Sequence, residues 1–404
     1  MGFVTLVSEL DLPVLDYTAP DFSADRYHAQ LAEARTHGWL ASSPLAFVTL
    51  DREAGEFFLR SRATAFPGRQ IAEFFGVTDK PLLEHIDANI LNLTGDQHRR
   101  LRALVGPAFT PRAADRWRPA MRSFLDRLWG SDMAGGACEF VAAVAKPYPS
   151  LTIAAVLGAP PEDAPRLHEW SNLVQRQFDI RALGTEIPQI SRACTEVHDY
   201  VAALLEKRRA EPGDDLISAL LQAEADGDRL SHAECVHLVV NVIAGGVDTT
   251  QSQLAHALRL FAQHPDQWDR LRRTPELVPD AVQEVLRTEP ITPFTARIVL
   301  EDVTYRDVRF PAGTIVAVCA ERANREQDEG ESFDITAERD GKLYTFGAGA
   351  HFCLGMNLAR AELEEALAFL APRMPELALD GEPWLGGVEG IYGIESLPLR
   401  WRAF

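Results

Sequence analysis

The chain has 404 residues, 46% of them hydrophobic and 25% charged, with a formal net charge of −19. That length allows a large core, and the acidity argues against nucleic acid or an anionic membrane as the main partner, since both repel such a surface. The cysteines Cys138, Cys194, Cys235, Cys319 and Cys353 are scattered and include no C-x-x-C pair. A disulfide framework or structural zinc site is therefore disfavoured, and a reducing cytoplasm fits.

In chain order, the start "MGFVTLVSELDLPVLDY" lacks a basic leader and gains acids at Glu9 and Asp11, so it is not a signal peptide. The chain has no run of 18 apolar residues, and no membrane span is expected. Helical patterns dominate from about 95 to 290. Residues 113–131 read as one amphipathic helix, and "SRACTEVHDYVAALLEKRRAE" as another, ended by the turn "AEPGDDL". Ser231 and Glu234 form a capping box. Apolar residues continue from there to about Phe261, predicting one helix of about 30 residues, roughly 45 Å long, that crosses the molecule.

Strand signals follow in "ARIVLEDVTYRDVRFPAGTIVAVCA", with a turn at Pro311–Ala312–Gly313. "MNLARAELEEALAFLAPRM" reads as an amphipathic helix, and the tail "IESLPLRW" as a strand. The expected architecture is mainly α with a smaller β portion, one domain over 1–404. It has a β-containing start at about 1–60, a helical core at about 95–290, and β segments with a loop at about 291–404.

The stretch "YTFGAGAHFCLG" (344–355) surrounds Cys353 with glycines. A dinucleotide fingerprint fails, because Phe352 stands where the third glycine belongs. Zinc lacks ligands beyond His351 and Cys353, and a catalytic thiol lacks a named base. Thiolate ligation of haem iron accounts for more. Glycines let backbone N–H groups approach an anionic sulfur, a following helix offers its positive end, and Phe346 can shield the sulfur.

The stretch resembles the haem-ligand loop of the cytochrome P450 superfamily, F-G-x-G-x-H-x-C-x-G, at Phe346, Gly347, Gly349, His351, Cys353 and Gly355. Further marks stand upstream in family order. "AGGVDTT" resembles the oxygen-activating stretch, with Gly245 and Gly246 costing helix stability where a flat porphyrin would approach. The resemblance makes Thr249 the hydroxyl facing the oxygen ligand and Asp248 the acid that relays protons. "EVLR" resembles the family's E-x-x-R pair, so Glu284 and Arg287 would lock the core beneath the haem. His98 and Arg102 in "HRRLR", Arg297 and His351 match propionate partners. The family arginine three residues after the aspartate of "FD" is absent, since Ala337 stands there, and Arg339 is the substitute.

The resemblance implies the cytochrome P450 fold with a long central helix over the haem, haem b as cofactor, and Cys353 as the axial iron ligand. The implied enzyme is a cytoplasmic, monomeric monooxygenase of the soluble bacterial type. It would insert one oxygen atom from O2 into an apolar small molecule by hydroxylation, epoxidation or O-dealkylation. Electrons would come from a separate ferredoxin or flavodoxin, with Arg99, Arg100, Arg112, Arg116 and Arg360 as docking candidates. Pocket candidates are Phe74, Phe75, Ile86, Ile90, Leu91, Ile243, Ala244, Phe294 and Ile394. A peroxide-driven peroxygenase and a haem-binding sensor without turnover are the alternatives.

Overall fold

The computed structural model describes residues 4–19, 22, 24–130, 133, 135–225, 230–325, 332–339, 342–388 and 390–403. The protein is mainly helical with small sheets. The helices used below are, in chain order, α1 (Ala24–Thr36), α2 (Arg52–Arg60), α3 (Lys80–Ala88), α4 (Gly95–Val105), α5 (Pro147–Leu157) and α6 (Ala164–Gln175). They continue with α7 (Ile187–Ala210), α8 (His232–Gly246), α9 (Asp248–Gln263), α10 (Val278–Thr288), α11 (Ala320–Arg325) and α12 (Met356–Leu370). The chain packs as two compact units. The first holds Met1–Pro67, Gln283–Cys353 and Leu385–Tyr392, and the second Gly68–Val282, Leu354–Trp384 and Gly393–Phe404.

In the first unit the strands are β1 (Thr5–Leu6), β2 (Leu40–Ser42), β3 (Phe47–Thr49), β4 (Thr64–Ala65), β5 (Phe294–Val299), β6 (Val303–Tyr305), β7 (Val308–Phe310) and β8 (Ile315–Cys319). A five-stranded sheet runs β2-β3-β8-β5-β4, and a three-stranded one β1-β7-β6. Strand β8 is the hub. It pairs parallel with β3 and antiparallel with β5, where Arg297 faces Val316. Its side chains alternate between two cores. Val316 and Val318 pack with Phe58 and Phe310. Ala317 and Cys319 pack with Tyr27, Leu31 and Tyr392 on the other side. The hairpin between β6 and β7 turns on Arg306 and Asp307, at φ 48° and 60°, the left-handed pair that a tight two-residue hairpin requires.

Helix α1 is fastened by charge. His28 Nε2 lies 2.8 Å from Glu289 Oε1, and Nδ1 lies 3.1 Å from Glu321 Oε1. Glu321 is fully buried and also meets Arg325 at 2.8 Å.

In the second unit the capping box at Ser231 and Glu234 is formed. The long helix does not run unbroken, however. Val247, at φ −100° and ψ −67°, interrupts it between α8 and α9, next to two glycines that weaken helical continuity. The expected helix over 113–131 is also two pieces, Pro111–Asp115 and Arg118–Leu128. Pro119 fits the break, because it has no N–H to donate to the Asp115 carbonyl and continue the first ladder. Within the region expected to be helical stands a short strand, Ala137–Glu139, which pairs antiparallel with Pro398–Arg400. The tail expected as one strand is two, Ile394–Ser396 and Pro398–Arg400, divided at Leu397 before the proline.

Burial alone would lower the proton affinity of His28, but Glu289 and Glu321 outweigh it and carry its pKa up from 6.5 to about 9. Because the folded value lies above the unfolded one, this stabilisation is complete below pH 6.5 and is lost as pH rises through about 9. His28→Leu should therefore cost about 2–3 kcal/mol at mildly acidic pH. The gap from wild type should close in alkali, as read by thermal unfolding across pH. A gap independent of pH would show that the ring acts by packing alone.

Candidate active site

In the first unit the cysteine loop is shaped by its own backbone. Gly347 N–H donates to the Tyr344 carbonyl at 2.8 Å, and Cys353 N–H to the Phe346 carbonyl at 2.9 Å. Gly347 and Gly349 stand at φ 69° and 72°. A Cβ on Gly349 would fall 2.7 Å from the Leu59 carbonyl oxygen, so only glycine lets the loop lie against the end of α2. The loop is tied down upstream. Asn324 of α11 accepts from Tyr344 N–H at 2.7 Å, and Thr345 Oγ1 donates to the Leu286 carbonyl at 2.6 Å. Phe346 and His351 are half-buried. Cys353 is exposed, unlike the other cysteines. Burial pushes the thiols of Cys138, Cys194, Cys235 and Cys319 up to about 12, where they stay protonated.

Glu284 and Arg287 share one face of α10 and pair through two bonds, Nε to Oε2 at 2.7 Å and Nη2 to Oε1 at 2.8 Å. Their side chains are 3% and 2% exposed, so the pair is closed off from water. Arg287 also donates to the Ser332 carbonyl at 3.0 Å, and Glu284 accepts from Asp334 N–H at 3.0 Å. Arg339 Nη2 reaches the same carboxylate at 3.3 Å. Burial raises the proton affinity of Glu284, but the hydrogen bond and charge of Arg287 overcome it, and the acid stays ionised more readily than usual. The centre of the preceding segment, residues 326–331, lies outside the described residues.

Arg297 tests whether a haem fits. It is 4% exposed, and the hydrogen bond described for it goes to its neighbour's carbonyl, Ala296, at 2.9 Å. Burial alone draws its pKa down to about 10. Among the described residues no carboxylate pairs with it; a buried cation so placed is costly, and a bound acid such as a haem propionate would remove that cost. The buried guanidinium, the exposed thiol and the glycine loop together fit the group.

In the second unit Gly245 and Gly246 differ in role. A Cβ on Gly245 would meet nothing within 4 Å, whereas one on Gly246 would lie 2.5 Å from Ile153 Cδ1 and 3.0 Å from its Cγ1. Gly246 is thus needed for close packing of α8 on α5, and Gly245 is the one facing open space. Thr249 Oγ1 donates to the Gly245 carbonyl at 2.7 Å. Asp248 is 7% exposed, and its Oδ1 accepts from Asn172 Nδ2 at 3.4 Å. Burial raises its proton affinity, against the pull of Asn172 and His168. His98 on α4 is buried, and burial with Arg102 and Arg99 nearby lowers its pKa, so it is neutral here. Arg102 is half-buried on the same helix.

Among the pocket candidates, Ile86, Ile243 and Ile394 are 1–2% exposed, Ala244 is 5%, and Ile90 and Leu91 are half-buried. Phe294 stacks on Tyr17 at 4.6 Å in the first unit. Phe74 is 73% exposed beside Phe75. Of the docking arginines, Arg99 pairs with Asp96, Arg100 with Glu234, and Arg116 with Asp214 at 2.8 Å, so their charge is partly offset; Arg112 is exposed.

Sequence reasoning singled out no polar residue of helix α6. His168 Nε2 lies 2.7 Å from Gln251 Oε1, Ser171 Oγ donates to the Ala244 carbonyl at 3.2 Å, and Gln175 Nε2 donates to the same carbonyl at 2.6 Å. With Asn172 these residues fall at i, i+3, i+4 and i+7, a polar stripe on one helix face that serves as the readable signal. It also passed over Glu362 of α12. That acid is 1% exposed and lies 3.4 Å from Thr250 Oγ1, and burial raises its proton affinity well above normal despite Thr152 and Thr250.

The Cytochrome P450 family profile matches residues 68–274 and 274–370. The chain is 38% identical over 397 residues to luteothin monooxygenase of Streptomyces thioluteus, covering 97% of each chain. It is 35% identical over 326 residues to mycinamicin IV hydroxylase/epoxidase of Micromonospora griseorubida, covering 79% of this chain and 81% of that one. The crystal structure of CalO2 superposes at a TM-score of 0.89 with 32% identity, over 97% of this chain and 100% of that one. The epothilone D-bound cytochrome P450epoK superposes at 0.87 with 26% identity, over 96% and 99%.

The two glycines give a paired test. Gly245→Ala should stabilise the protein by up to about 1 kcal/mol through helix propensity. Gly246→Ala should destabilise it by about 1–3 kcal/mol through overpacking on Ile153. Urea unfolding of both variants reads the difference, and equal effects would contradict the packing assignment.

Proposed function

Because the chain belongs to the cytochrome P450 family and is a haem-thiolate monooxygenase of the bacterial type, we propose that Cys353 ligates its haem b and that Asp248 and Thr249 serve the oxygen side. The haem, held through a thiolate, supplies the oxygen-activating redox centre. The observation that carries the assignment is the one exposed cysteine, on a loop that admits only glycine at position 349.

Each residue has a derivable part. Arg297 offers a buried cation to a haem carboxylate, and His98, Arg102 and His351 are the further donors. Phe346 is the residue that would screen the sulfur from water once the haem is bound. The Thr249 hydroxyl spends its hydrogen on the Gly245 carbonyl, which leaves its oxygen lone pairs to accept a hydrogen bond from the oxygen side. Asp248, buried and prone to keep its proton, is the adjacent donor. Glu284, Arg287 and Arg339 hold the backbone that precedes the cysteine loop. In this reading the two units make one catalytic domain, which works as a monomer in the cytoplasm, a setting that suits five cysteines with no disulfide among them.

Electrons come from a separate ferredoxin or flavodoxin, for which Arg112 with Arg99, Arg100, Arg116 and Arg360 is the docking candidate. The substrate is an apolar small molecule of the class represented by luteothin. Support comes from 38% identity to luteothin monooxygenase along 97% of both chains. Ile86, Ile90, Leu91, Ile243, Ala244, Phe294 and Ile394 are the residues proposed to meet it.

Two measurements test this. Titrating the haem-loaded protein with luteothin should shift its Soret band, and supplying NADH, ferredoxin and reductase should yield an oxygenated product. Cys353→Ser should lose the red-shifted Soret band of the reduced carbon monoxide complex along with turnover. Retention of that band by the serine variant would overturn the ligand assignment. Turnover with peroxide but not with the electron-transfer chain would favour a peroxygenase.

A further inference from the structure

Asp248 meets no cation at hydrogen-bond range among the described residues. Its described partner is an amide, Asn172 Nδ2 at 3.4 Å. The charged and titratable groups that act on it come from three elements. His168 lies on α6, Lys146 just before α5, and Glu395 on the strand Ile394–Ser396. His168 and Lys146 favour the ionised acid and Glu395 disfavours it, while burial outweighs all three.

The rest of the α6 stripe is fixed on the same pair of helices. His168 Nε2 lies 2.7 Å from Gln251 Oε1 on α9. Gln175 and Ser171 both donate to the Ala244 carbonyl, one turn before the acid. One face of α6 therefore spans the interruption at Val247 and meets groups on both sides of it.

We propose that Asn172 is a positioning residue for Asp248, latching the acid on α6 through a neutral amide instead of an ion pair. The latch deepens the monooxygenase reading, on which it rests. An acid that must turn between a source of protons and the oxygen side has to leave its resting partner at each turnover. Leaving a neutral amide is easier than breaking a buried ion pair, because no unpaired charge is left behind.

The experiment reads the acid itself. In the holoenzyme, the carboxyl stretching band of protonated Asp248 is identified by infrared difference against Asp248→Asn and followed across pH. Asn172→Leu should move its midpoint up by about one pH unit, and Asn172→Lys should move it down by at least as much. Opposite shifts from leucine and lysine are something a purely structural residue would not produce. Should the lysine variant fail to fold, Asn172→Asp replaces it and should shift the midpoint further up than leucine. Midpoints that stay put, or move the same way with leucine and lysine, overturn the latch.

A second arm separates the two readings. With the electron-transfer chain, Asn172→Leu should slow product formation and enlarge the solvent isotope effect, with substrate-induced Soret shifts unchanged. If the midpoints shift as expected while Asp248→Asn turns over like wild type, the acid does not deliver the proton. That result overturns its role in the reaction while leaving its attachment to α6 standing.

Discussion

The bidentate pair of Glu284 and Arg287 carries two full charges with almost no access to water, and much of the first unit is arranged around satisfying it. A pair so enclosed is stable only if the remaining donors and acceptors of both groups are used. The Ser332 carbonyl, the Asp334 amide and the Arg339 guanidinium do this, and each belongs to the stretch leading to the cysteine loop. Removing either partner would strand a buried charge and release that stretch. The fold therefore ties the backbone before Cys353 to a charge requirement, beyond what apolar packing supplies.

The second unit handles its buried acid differently. Asp248 begins a helix directly after an interruption, and its described hydrogen-bond partner is a neutral amide. Thr249 and Gly245 bond to each other across the interruption. Ser171 and Gln175 both take the Ala244 carbonyl. A break in a helix frees backbone groups, and here they are satisfied by side chains from a neighbouring helix. Such neutral groups can be exchanged at small cost. The unit keeps its strong ion pairs elsewhere, as between Arg118 and Glu364 at 2.6 Å.

Much of this was legible in the chain. Local chemistry announces itself through spacing, so the capping box at Ser231, the helix after Cys353 and the cysteine loop could all be read from residue order. The arrangement of β6 to β8 followed from alternation and turn residues. What could not be read depends on which partner lies opposite. Gly245 and Gly246 are identical letters, and only the position of Ile153 gives them different duties. The need at Arg297 arises from burial that no local pattern reveals. Pro119 and Val247 divided helices whose apolar periodicity runs through the division. The α6 stripe was visible as spacing, but its meaning required the neighbouring acid.

Strand β8 has both faces enclosed, with valines on one side and smaller residues on the other. A slip of one residue would exchange them, leaving one core overfull and the other hollow. The alignment of β8 is thus locked twice. Because Arg297 stands directly across from Val316, its guanidinium inherits that fixity. The precision with which that guanidinium is held is therefore set in the hydrocarbon interior, and drift at Ala317 or Val318 would be felt as a loss of aim at Arg297.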